Sequence, residues 1–106
     1  MNLLKETKDI LLKHNHTLKD IVFVCDCLTN TRIPIYRFIA NANFNYDDGY
    51  GLQEINMNLL LVGKDFWLER HEYDGAEWWE YKQLPKIENY VEGKVNLGYK
   101  ENDNND

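Results

Sequence analysis

Cysteine is nearly absent from this chain: Cys25 and Cys27 are the only two, one residue apart. In an extended strand they point to the same face. A disulfide between them would close a small, strained ring, and no second Cys pair completes a four-ligand zinc site. They read as reduced thiols packed as small apolar residues, with soft-metal binding or redox chemistry as the other reading. Long apolar runs are also missing. Nothing approaches the roughly 20 residues a membrane-spanning helix needs, and the first residues lack the basic start, apolar stretch and small-residue cleavage site of a signal peptide. A cytoplasmic location is expected, with no membrane partner. Basic residues are scarce too, at 12 Lys and Arg against 18 Asp and Glu, for a net charge of −6. A duplex-binding groove needs clustered cations to displace counterions from phosphates. These are scattered, so direct nucleic-acid binding is not expected, whereas an acidic balance suits solubility and basic protein partners. No catalytic or cofactor motif stands out, so the expectation is a non-enzyme without a cofactor.

What is present is an ordinary single-domain chain of 106 residues, 43% hydrophobic and 28% charged, with a high aromatic share of 13%. One globular domain is expected over residues 1–99, followed by a disordered acidic tail over 100–106. Leu3, Leu4, Thr7, Ile10 and Leu11 recur at helical spacing from Asn2 to Lys13, with Lys5, Glu6, Lys8, Asp9 and Lys13 on the other face. His14 ends that helix near its carbonyl pole, and Thr17–Asp20 reads as a short capped turn. Ile21–Cys27 is almost continuously apolar and β-branched, which predicts a strand covered on both faces. Leu28–Arg32 reads as a turn-rich link. Ile35, Phe38, Ile39 and Ala42, after Pro34, mark a second short helix. In the loop Asn43–Gly51, Asp47-Asp48 before Gly49 resembles part of a calcium loop, but the ligand spacing and terminal Glu are out of register, so turn chemistry is preferred. Leu52–Asn58 reads as a brief helical turn, Leu59–Val62 as the start of a sheet, and residues 86–99 as weakly patterned.

All three tryptophans lie in Val62–Gln83, which reads as a β-hairpin about Asp74-Gly75. A two-residue turn with φ > 0 at both positions makes Tyr73 face Ala76. Counting outward pairs Glu72 with Glu77, His71 with Trp78, Arg70 with Trp79, Glu69 with Glu80 and Leu68 with Tyr81. Period two then gives a core face of Phe66, Leu68, Trp79 and Tyr81, with Arg70, Glu72 and Glu77 toward the turn. The opposite face carries Trp67, Glu69, His71, Tyr73, Trp78, Glu80 and Lys82. Glu69, His71 and Glu80 approach one another there, and two carboxylates with an imidazole can bind a divalent metal or move protons. The plainer reading pairs the carboxylates with Lys82 and stacks His71 on Trp78. Tryptophan and tyrosine are also favoured interface anchors.

The runs GYGLQEI (Gly49–Ile55) and LLLVGKDFWLERHEYDGAEWWEYK (Leu59–Lys82) resemble a family of small uncharacterised proteins from phages and prophages of Firmicutes. The likeness covers Asn45–Lys82 and the plan of helix, strand and second helix. It implies a phage-encoded protein in a bacterial cytoplasm, with no catalytic residues to carry over. Small acidic phage proteins are often inhibitors of host defence, anti-CRISPR proteins among them. The expectation is therefore an α+β domain with an N-terminal helix, a strand, a second short helix and an antiparallel meander of about three strands. It would bind and inhibit a host protein, plausibly a basic nucleic-acid-binding or nuclease component. Asp47, Asp48, Glu69, Glu72, Glu77 and Glu80 would mimic phosphates, and Trp67, Tyr73 and Trp78, beside His71, would anchor. The alternatives are a small metal- or nucleotide-dependent enzyme or binder using Glu69, His71 and Glu80, and a phage structural or morphogenesis component.

Overall fold

A computed structural model describes residues 1–49 and 51–99; the acidic stretch 100–106 lies outside the described residues. Helix α1 (Leu3–Lys13) begins where the Asn2 side chain accepts a hydrogen bond from the Lys5 amide, and it buries Leu3, Thr7 and Leu11. A three-residue helical turn at Leu18–Asp20 carries the reciprocal Thr17/Asp20 capping box. The remaining elements are β1 (Ile21–Asp26), β2 (Thr31–Ile33), α2 (Ile35–Asn41), β3 (Leu59–Gly63), β4 (Phe66–Tyr73), β5 (Ala76–Gln83) and a second three-residue helical turn at Ile87–Asn89. The five strands form one antiparallel sheet in the order β2-β1-β3-β4-β5. This is the α+β class the sequence predicts, with the Asp-Gly hairpin at one edge.

The register of the hairpin is the predicted one, from Tyr73↔Ala76 out to Phe66↔Gln83. Asp74 and Gly75 have φ of 52° and 88°, as a two-residue turn of this hand demands. Both helices pack on the face that carries Val24, Leu61, Leu68 and Trp79, where the buried side chains form one cluster with Leu3, Leu11 and Phe38. Gly63 sits opposite Phe66 across the β3–β4 turn, and a Cβ there would lie 2.1 Å from the Phe66 ring. Only glycine lets the ring fold over the backbone. His14 stacks on Tyr81 at 3.8 Å and His16 on Phe66 at 3.9 Å, which ties the end of α1 to the hairpin. At the carbonyl end of α1 it is the His14 backbone N–H that meets Leu11 and Leu12, while the ring stacks on Tyr81.

Three expectations need correction. Strand β1 is covered on one face only: Val22 is 64% exposed. A register shift between Ile21 and Phe23 lets Ile21 and Val24, three apart, both turn inward. The expected link Leu28–Arg32 contains the start of β2, because Asp26 accepts from the Leu28 and Thr29 amides and folds the chain back on itself. Leu52–Asn58 is not helical. The amides of Glu54 and Ile55 donate to the Glu77 carboxylate, which holds this stretch as an irregular, bent segment against the hairpin. Every buried side chain of residues 1–99 lies between Leu3 and Trp79, and the large apolar residues from Leu84 to Tyr99 are exposed.

Candidate functional site

Among the described residues, no helix lies on the outer face of the sheet. Following the register, Phe23, Val62, Trp67 and Lys82 form one row across β1, β3, β4 and β5. Cys25, Leu60, Glu69 and Glu80 form the next, and His71 lies opposite Trp78 in the third. All of these side chains are half-buried by one another rather than by a second layer. The opposed carboxylates Glu69 and Glu80 would repel, and each is held by an indole of its own strand. Trp67 Nε1 donates to Glu69 at 2.7 Å and Trp78 Nε1 donates to Glu80 at 2.9 Å. His71 Nε2 lies 2.6 Å from Glu69, and Lys82 Nζ 3.9 Å from Glu80. The Trp67 indole, ahead of the His71 contact, holds Glu69 below the ordinary carboxylate range. His71 and Trp78 are loosely stacked at 6.4 Å.

The turn end of the hairpin is acidic. Tyr73 is 67% exposed there. Asp47 and Glu72 are exposed, and Asp48 is half-buried. The Asp47 and Glu72 side chains accept from the Gly49 and Gly75 amides, while the Asp48 carbonyl accepts the Glu77 amide. With Glu54 and Asp74 they form a rim in which no carboxylate has an ion-pair partner among the described residues.

Glu77 does not belong to that surface. Its side chain is fully buried and lies 3.1 Å from Arg70. Arg70, equally buried, also reaches Glu6 at 3.3 Å and the Tyr46 hydroxyl at 3.1 Å, and its guanidinium lies 4.7 Å from the Trp79 ring centre. Tyr46 donates to Glu6 at 2.5 Å. Burial first, then the bond to Glu6, pushes the Tyr46 hydroxyl well above its ordinary value. Burial opposes the charge on Arg70, but Tyr46 and Glu6 outweigh it and hold the guanidinium above its usual value. This network stitches α1, the 43–49 loop and the hairpin together. The diagonal placement of Arg70 and Glu77 on one face was the available signal. Nothing in the sequence marks Tyr46, and the helical wheel assigns Glu6 to the solvent side.

Cys25 sits on the outer face and Cys27 just past the end of β1; both thiols are free. Burial pushes the Cys25 thiol up, the opposite of what a reactive thiolate needs. Among the described residues no group of three or more His, Cys, Asp or Glu is arranged to hold a metal ion. Glu69, His71 and Glu80 share a face, but the carboxylates are committed to separate indoles. Asp47 serves turn geometry through the Gly49 amide, and Asp48 joins the hairpin through its backbone carbonyl. No helix among the described residues is long and apolar enough to cross a membrane. Comparison with protein-family models, curated proteins and solved structures finds no match.

Proposed function

We propose that this chain is a non-enzymatic, phage-encoded accessory protein that binds and inhibits a basic host protein, with a defence nuclease of the kind anti-CRISPR proteins target as the fitting class. One observation carries the binding reading: an uncovered sheet face with two indoles fixed by their own carboxylates, on a hairpin whose tip also carries acids without ion-pair partners on its other side. Trp67, Trp78 and Tyr73 offer large contact area, and the fixed indoles have already lost rotamer freedom, which lowers the entropic cost of docking. The free carboxylates Asp47, Asp48, Glu54, Glu72 and Asp74 steer toward cations and can occupy places that nucleic-acid phosphates would take. The half-buried Glu69 and Glu80 position the anchors. The phage setting rests on the resemblance of Asn45–Lys82, and the bacterial cytoplasm follows from it.

The test is affinity capture from bacterial lysate with the wild-type chain and two variants, D47K/E72K and Trp78→Ala. A basic partner retained by the wild type should be lost by both variants. Its retention should fall steeply as salt rises from about 0.1 to 0.5 M. The same catch from all three proteins would remove the proposal.

A further inference from the structure

We infer that the free edge of β5 accepts the strand-patterned segment Lys94–Tyr99 of a second copy of this chain, giving a reciprocal arm-exchanged dimer. The acceptor follows from the ladder. In a hairpin closed by a two-residue turn, the pair flanking the turn exchanges hydrogen bonds, so Ala76, Trp78, Glu80 and Lys82 point their backbone groups at β4. Glu77, Trp79, Tyr81 and Gln83 must then point theirs away. The Glu77 amide does so and finds the Asp48 carbonyl at 3.2 Å. Beyond it, the outward amides of Trp79, Tyr81 and Gln83 meet no backbone partner among the described residues. An eight-residue edge strand left open in this way is a template for another strand.

The donor lies on the same chain. Val95, Leu97 and Tyr99 alternate with Lys94, Asn96 and Gly98, the period of a strand with one apolar side. They are 75%, 94% and 98% exposed and belong to no strand. Intramolecular return is disfavoured at the root of the arm. The Leu84 amide donates to the Asp65 carbonyl at 2.7 Å, and Lys86 Nζ lies 3.6 Å from the Asp65 carboxylate. Both contacts hold the start of the arm on the β4 side of β5, away from the open edge, and Pro85 between them fixes the direction. The arm turns at Ile87–Asn89, and an extended stretch from Tyr90 to Tyr99 reaches about 33 Å, against about 27 Å for the whole of β5, so Lys94–Tyr99 can span to a neighbour. The exchange is isologous: each copy gives one arm and receives one, which closes the assembly at two. The exposed apolar arm residues Leu84, Ile87, Tyr90, Val91, Val95, Leu97 and Tyr99 offer roughly 100 Å² each for burial. Val95, Leu97 and Tyr99 of the two docked segments, with the surfaces they cover, then bury on the order of 1,200 Å², the lower end of the range for specific stable interfaces.

The inference does not depend on the host-binding proposal, and its test needs no partner. Light scattering of the full-length chain should move from 12.7 kDa toward twice that mass as concentration rises from low micromolar to about 0.5 mM. Over the same range, hydrogen exchange at the Trp79 and Tyr81 amides should slow by about tenfold or more. The full-length V95D/L97D variant, altered only at exposed positions, should stay at monomer mass and keep fast exchange there. A wild-type chain that remains monomeric throughout overturns the inference, as does a dimer unaffected by V95D/L97D. If the wild type is monomeric and its Trp79 and Tyr81 amides nevertheless exchange more slowly than those of V95D/L97D, the arm returns to its own chain and the second copy is ruled out.

Discussion

Replacing Arg70 with Met should be the most damaging single polar substitution in this protein. The guanidinium is fully buried between Glu6 and Glu77, bonded to the Tyr46 hydroxyl and packed on Trp79. Methionine fills much of the same volume, so cavity formation is a minor part of the cost. The larger part is that the Glu77 carboxylate, itself fully buried, keeps only the Glu54 and Ile55 amides. Breaking a buried pair from one side costs about 3–5 kcal/mol, and a chain of this length has roughly 5–15 kcal/mol in total. With a urea slope of about 1.5 kcal/mol per M, the unfolding midpoint should fall by about 2–3 M. The cycle with Glu77→Gln separates an unpaired charge from lost packing. In R70M/E77Q the buried charge is gone, so the double variant should be more stable than the two single losses added together, by about 1.5 kcal/mol or more. A midpoint shift equivalent to less than about 1 kcal/mol for Arg70→Met, or strict additivity in the cycle, would refute the argument.

Two further outcomes follow from named contacts. Trp67→Phe removes the indole N–H that contributes most to lowering the Glu69 pKa, so the Glu69 carboxyl should titrate closer to its ordinary value when followed by NMR. A depressed folded value means that this contribution to stability is present above the unfolded pKa and is lost as pH falls through the folded one. Trp67→Phe should therefore flatten the acid limb of the stability profile, and an unchanged Glu69 titration would contradict the assignment. Gly63→Ala places a methyl inside the Phe66 ring and should cost about 2–3 kcal/mol by thermal or urea unfolding. G63A/F66L should recover part of that loss, and no recovery would mean the clash lies elsewhere.

The hairpin was fully legible because its turn chemistry and its period-two pattern are both local, and together they fix a register. From the register came the two faces, and with them the outer cluster of Trp67, Glu69, His71, Trp78 and Glu80. What the sequence hid depends on contacts between distant segments. Glu6, Tyr46 and Arg70 come from three elements, and the burial of each is decided by the other two. Strand β2 is three residues long, too short to show a period, and exists because Asp26 turns the chain back. The stretch Leu52–Asn58 has the composition of a helical turn, yet its amides are claimed by a carboxylate more than twenty residues away. Val22 reads as core by composition but lies exposed beside a register shift, where the local alternation of faces fails.

The two indole–carboxylate couples give the outer face a property that neither residue type has alone. Each strand supplies both the anion and the donor that satisfies it, so the negative charge on this face is already spoken for before any partner arrives. A lone cation, such as a stray lysine, must compete with an indole at 2.7 or 2.9 Å and gains little by doing so. A partner can meet the fixed indoles with a flat apolar surface and leave both indole–carboxylate bonds in place, while a guanidinium at its edge uses the carboxylate lone pairs the indoles leave free. Under the proposed binding reading, the face would select basic surfaces by shape as well as by charge, and a change in tryptophan emission would report contact at the indoles.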